Sequence, residues 1–153
     1  MNTPLIPGGY FIISKLIFGS KIWSDDVHLL KLFVWLIGRA HHEDEPKYYP
    51  HATVNRGEVL TSLEHISEQN EYSENNTIKR WSRMKVSRML AKLEEQGYII
   101  RACDTYGTHV KVCNYEKYQD ASLYARDKPV TPALQLVTPA LPYKNALEVK
   151  QGD

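Results

Sequence analysis

Residues 81–97 read Trp-Ser-Arg-Met-Lys-Val-Ser-Arg-Met-Leu-Ala-Lys-Leu-Glu-Glu-Gln-Gly, and this pattern predicts one helix with both ends specified. Ser82 is a residue type that caps helix N-termini, and Gly97 is the type found just past a C-terminus. With Ser82 as the cap, Trp81 and Val86 occupy the positions that staple the entering chain. Val86, Met89, Leu90 and Leu93 recur at helical spacing and form one apolar stripe. Away from the stripe, the first turns carry Arg83, Met84, Lys85, Ser87 and Arg88, with Lys92 one turn further on. A basic, polar front on such a stripe suits a helix that enters the major groove of DNA. Charged faces are equally the ordinary outer side of an amphipathic helix. The flanking chain has to decide between the two.

Charge is distributed unevenly around this helix. The net charge of the 153 residues is only +1, yet residues 77–101 hold seven Lys or Arg against two Glu. Residues 41–76 hold eight acids against two basic residues. Such polarity would turn one side of the molecule toward a polyanion. No apolar run is long enough to span a bilayer, and the start lacks the basic-then-apolar order of a signal peptide. Two cysteines, Cys103 and Cys113, do not make a secreted disulfide framework. The expectation is a chain of the bacterial cytoplasm with no membrane partner.

Upstream, residues 1–9 hold two prolines and two glycines and read as an irregular lead-in. Tyr10 to Ile13 is a strand or the start of a helix running to Phe18. Ser24-Asp25-Asp26 then starts a helix expected to end near Arg39 or Ala40, with acids where they complement the helix dipole. Val27, Leu30, Phe33, Val34 and Ile37 form one apolar face, and Leu32, Trp35 and Leu36 a second. A helix apolar all round is buried on both sides. The second face is covered either by the N-terminal segment or by another subunit, which would make a homodimer. Residues 41–50 read as a polar loop. Its His41, His42, Glu43, Asp44 and Glu45, with His51, lack the spaced pairs of a zinc site, so no metal or other cofactor is assigned.

Residues 52–60 read as a strand bent at Arg56-Gly57, and Thr61 or Ser62 then caps a short helix with Leu63 and Ile66 inward. Residues 70–79 form a polar insertion, longer than the tight turn of a helix-turn-helix. An extra helical turn there, capped by Asn76 or Thr77, would bring Lys79 and Arg80 beside the basic helix. After Gly97 the period changes to two. A three-residue loop of Thr105, Tyr106 and Gly107 would set Ile100 opposite Val112, Ala102 opposite Val110 and Arg101 opposite Lys111. That like-charge pair costs stability unless an anion lies between them. The same register holds Cys103 and Cys113 roughly 13 Å apart along the hairpin, too far for a disulfide. Tyr115 and Tyr118 close the domain at residue 119. In the tail, residues 120–153, Val-Thr-Pro-Ala-Leu occurs at 130–134 and again at 137–141. Prolines at this density forbid a helix, leaving either a disordered tail or a pair of docking motifs.

Helix, strand, helix, basic helix and hairpin in that order predict a mainly α fold with a small β-hairpin wing, a winged helix-turn-helix over residues 10–119 with an unstructured C-terminal tail. In such a fold the basic helix reads a groove and the wing lies on a neighbouring phosphate. The candidate DNA contacts are Lys79, Arg80, Ser82, Arg83, Met84, Lys85, Ser87, Arg88 and Lys92, with Arg101, His109 and Lys111 on the wing. No P-loop, Gly-rich nucleotide motif or nucleophile–base pair points to an enzyme.

The runs Gly57-Glu58-Val59-Leu60-Thr61-Ser62-Leu63, residues 81–88 and Leu93-Glu94-Glu95-Gln96-Gly97-Tyr98-Ile99 carry a resemblance as well. With Gly107-Thr108-His109-Val110 and Cys113-Asn114-Tyr115-Glu116-Lys117-Tyr118-Gln119, they resemble the N-terminal domains of phage replisome organisers and DnaD-like replication initiators. Trp23-Ser24-Asp25 is similar to the start of those domains. The resemblance implies a non-enzymatic protein of a phage or mobile genetic element. It would bind repeated sites in origin double-stranded DNA and help recruit a replicative helicase or primase, here through the tail. Two departures stand out: the insertion at 70–79, and a tail too short for the helical second domain many relatives carry. The competing readings are a transcriptional repressor of the same fold and a protein-interaction adaptor that does not bind DNA.

Overall fold

The computed structural model describes residues 3–124. The basic stretch folds as expected. Helix α4 (Arg83–Glu95) is capped by Ser82, whose side chain accepts from the Lys85 N–H. Gly97 takes φ +84°, the left-handed conformation that ends a helix without a Cβ penalty. Trp81 and Val86 are both buried, and Val86, Met89, Leu90 and Leu93 form the inward stripe. Each such side chain fully withdrawn from water contributes about 1.5–3 kcal/mol.

The stripe packs against helix α2 (Val27–Arg39), the central element of the core. A short helix α1 (Lys21–Ser24) precedes it, and Asp26 rather than Ser24 is the cap, accepting from the His28 N–H. Leu29, Leu32, Phe33, Leu36 and Ile37 are buried, but Val27 lies 72% exposed at the first turn. The cover of the second face also differs from expectation. Leu32 and Leu36 are fully buried within the chain, and Trp35 meets His65 of helix α3 (Leu63–Gln69) with ring centroids 6.1 Å apart. The N-terminal segment covers the other side. Ile12, Ile13 and Ile17 line a small cavity with Phe33, Ile37 and Tyr118. Phe11 fills the space above Gly38, where an added Cβ would sit 2.9 Å from its ring. The Gln119 amide holds this segment by accepting from the Ile12 N–H and donating to its carbonyl.

The architecture is mixed α and β, which corrects the expectation of a mainly helical winged helix-turn-helix with one small wing. Among the described residues 41% are helical and 23% are in strands, and seven strands form three separate antiparallel sheets. Residues 41–50 are not all loop: β1 (Lys47–Tyr49) pairs with β2 (Ala52–Val54) around Pro50-His51. The bend at Arg56-Gly57 separates β2 from β3 (Glu58–Thr61). Nor does the 70–79 insertion hold a helical turn. It forms a hairpin of β4 (Tyr72–Glu74) and β5 (Thr77–Lys79), because Asn75 and Asn76 both take positive φ, 52° and 62°. Asparagine accepts that conformation more readily than other side chains, and two such residues match the twist of a two-residue hairpin.

In the third sheet β7 (Gly107–Val112) lies between β3 and β6 (Ile99–Asp104). Its hairpin turns on two residues, Thr105 and Tyr106, since Asp104 pairs with Gly107. The Asp104 carboxylate accepts from the Tyr106 and Gly107 N–H groups, closing this tighter turn. The register is thus one residue from the expected one: Ile99 faces Val112, Arg101 faces Val110, and Ile100 faces Lys111. A slip of one residue exchanges the two faces of a strand. Arg101 and Lys111 are therefore not an opposed like-charge pair. Cys103 sits opposite Thr108, and both cysteines are free thiols. Helix α5 (Tyr115–Gln119) closes the described domain with Tyr115 and Tyr118 buried. The repeated Val-Thr-Pro-Ala-Leu unit lies outside the described residues. No helix among the described residues is long and apolar enough to cross a membrane.

Candidate nucleic-acid interface

With Val86, Met89, Leu90 and Leu93 turned inward, the helical period of 3.6 residues places Met84, Ser87 and Arg88 along the opposite crest of α4. Arg83 and Lys85 flank that crest. Arg83, Met84 and Arg88 are exposed, and Lys85 and Ser87 are half-buried. The Arg88 guanidinium lies 3.1 Å from the Met84 sulfur, so these two side chains run together along the crest.

The twelve candidate residues separate by what they touch. Lys79 binds Glu74 at 2.6 Å, and Arg80 binds Glu71 at 2.6 Å. The hydrogen bond from Lys79 holds the Glu74 carboxyl below its ordinary range and, reciprocally, raises the Lys79 ammonium. Lys92 reaches back to Asp25 at 2.8 Å, and that hydrogen bond lowers the Asp25 pKa. The Arg101 side chain folds onto α4. Its Nε lies 3.5 Å from Glu94, its Nη1 donates to the Ser87 carbonyl, and its backbone N–H donates to the Glu94 carboxylate. His109 meets Glu58 at 2.8 Å across β3 and β7. Burial pushes the Glu58 carboxyl up, but hydrogen bonds from the Asn55 N–H and from His109 outweigh it and leave the pKa lowered. Ser82 is occupied as the helix cap. Lys111 is exposed on β7, opposite Glu58 of β3 and Ile100 of β6 in register.

Arg83, Lys85 and Arg88, like Lys111 on the sheet, stand apart from the paired cations. Among the described residues none of the three makes an ion pair with an acid. Their placement also runs against helix stability. Positive side chains crowd the N-terminal turns, where the helix dipole disfavours them, while Glu94 and Glu95 stand at the C-terminal end. Each mismatch of this kind costs about 0.3–1 kcal/mol, and Lys85, Arg88 and Lys92 add like-charge neighbours at three and four residues. An anion docked on this face would offset the cost.

Two features escaped the sequence reading. The β4–β5 hairpin stands immediately before the α4 cap, and its signal was the Asn75-Asn76 pair inside a short alternation. At the far end of the sheet, His51 of the β1–β2 turn stacks on Tyr106 of the β6–β7 turn, 3.9 Å between centroids and 6° between planes. No local sequence signal joins residues so far apart. No family model, curated protein or solved structure matches this chain.

Proposed function

We infer that this chain is a double-stranded DNA-binding protein that reads sequence through the crest of α4. The observation that carries this reading is the trio Arg83, Lys85 and Arg88, which have no acidic partner among the described residues where the surrounding Lys79, Arg80, Lys92 and Arg101 each have one. Arg88 and Arg83 are the base-reading candidates, since a guanidinium forks onto the two acceptors of guanine in the major groove. Lys85 serves a phosphate, and Met84 offers an apolar surface to a thymine methyl. Within this class, the narrower proposal is initiation of replication of a phage or mobile element at repeated origin sites. It rests on the resemblance of residues 57–63, 81–88, 93–99, 107–110 and 113–119 to replisome organisers and DnaD-like initiators. Recruitment of a helicase or primase by residues beyond 120 belongs to the same proposal.

The test is selection of bound sequences from a random duplex pool, followed by titration of the selected duplex and of a scrambled one. Arg88→Ala is expected to weaken the selected duplex by roughly tenfold or more and the scrambled one less, as loss of a bidentate base contact would. Equal losses would reduce Arg88 to a phosphate contact. No loss on either would remove α4 from the interface.

A further inference from the structure

The β4–β5 hairpin is held far more firmly than its size explains. An isolated two-stranded hairpin of this length is marginal in water. Here Tyr72 packs on His28 with centroids 4.7 Å apart, and the Lys31 ammonium donates to the Asn70 and Glu71 carbonyls at 3.2 and 2.8 Å. The buried Asn70 side chain donates to the Ile66 carbonyl. These contacts all lie at the base. Beyond Tyr72, every residue from Ser73 to Lys79 is exposed, including Ile78 at 66%. The tip contributes little to the core, yet the base fixes its position.

Its position is beside the reading end of α4. The hairpin ends three residues before the Ser82 cap, and Tyr72 at its base and Trp81 just before the cap both pack on His28 of α2, with ring centroids 4.7 and 5.8 Å away. The hairpin therefore stands next to the first turn of α4. The Lys79–Glu74 and Arg80–Glu71 pairs cancel its charge, so phosphate is not what it is built to meet. What remains outward is Ser73, Asn75, Asn76, Thr77 and Ile78: two amides, two hydroxyls and an aliphatic branch. Amides hydrogen-bond base edges, with adenine the geometric match for asparagine, and an aliphatic group suits the thymine methyl.

We propose that the β4–β5 tip is a second base-reading element, contacting A·T pairs of the same duplex next to those beneath α4. Three strand residues span about 10 Å, equal to roughly three base-pair steps at 3.4 Å each. The proposal rests on the reading of α4, and the experiment separates the two. The full chain, Asn75→Gly/Asn76→Gly, Ile78→Ala and Arg88→Ala are each put through selection from a random duplex pool. Glycine keeps the positive φ of the turn while deleting both amides. The parent is expected to select an α4 core plus a flank of about three A·T-rich pairs, with roughly tenfold discrimination at the best of them. The double glycine variant is expected to keep the core preference and lose the flank preference. Ile78→Ala, which leaves the turn untouched, should lose the thymine preference alone. Arg88→Ala should lose core positions and keep the flank. A flank preference that survives both hairpin changes overturns the proposal. A parent that selects nothing overturns the α4 reading and the hairpin with it.

Discussion

If ion pairing decides which cations face DNA, the salt dependence of binding should sort them. Each phosphate neutralised by Lys or Arg releases counterions and contributes about −0.9 to the slope of log affinity against log salt. Three α4 cations with no acidic partner among the described residues, Arg83, Lys85 and Arg88, give a slope of about −2.7 if all three meet phosphates, so raising salt from 50 to 200 mM should weaken binding roughly 40-fold. Removing Lys85 should reduce the slope to about −1.8 and the loss to about 12-fold over the same range. Arginines that fork onto bases would leave the parental slope shallower than this ceiling. Lys92→Ala is the informative control, because its ammonium is already committed to Asp25 at 2.8 Å. Its slope should match the parent's, and its stability should change by only about 0–1 kcal/mol, as for surface pairs generally. Fluorescence anisotropy of a labelled duplex at four or five salt concentrations gives these slopes directly. The reasoning fails if Lys92→Ala and Lys85→Ala flatten the slope equally. It also fails if the parent shows no salt dependence.

Two further predictions concern the scaffold. Gly107 has φ +144°, and an added Cβ would approach the Thr61 carbonyl oxygen to 2.6 Å, whereas Gly97, at φ +84°, has nothing within 4 Å. Gly97→Ala should therefore cost only the left-handed penalty of about 1–2 kcal/mol, and Gly107→Ala clearly more, as read by chemical denaturation; equal losses would mean that the β3–β7 contact yields. Glu58, whose folded pKa lies below its ordinary 4.5, binds protons more readily when unfolded. Its contribution is present above the unfolded pKa and disappears as pH falls through the folded one. Melting temperature measured from pH 6 to 3 should drop more steeply for the parent than for Glu58→Gln, and parallel curves would refute the pairing with Asn55 and His109.

What could be read from residues alone was local. The α4 helix declared its cap at Ser82, its stop at Gly97 and its buried stripe, because capping, left-handed glycine and helical periodicity all act within a few residues. The basic crest was legible for the same reason. Register was not: a loop of two residues instead of three moved Arg101 from Lys111 to Val110, and nothing in the strand pattern alone fixes that choice. The cover of α2 was also beyond the sequence, since α3 and the N-terminal segment could each have taken either apolar face. Above all, chain order says which residues are cations but not which are already answered. Lys92 meets Asp25 and His109 meets Glu58 only because the fold brings together residues 67 and 51 positions apart. Coulomb attraction between exposed groups is largely screened beyond about 8–10 Å at moderate salt, so it is the fold that leaves Arg83, Lys85 and Arg88 without an acidic partner among the described residues.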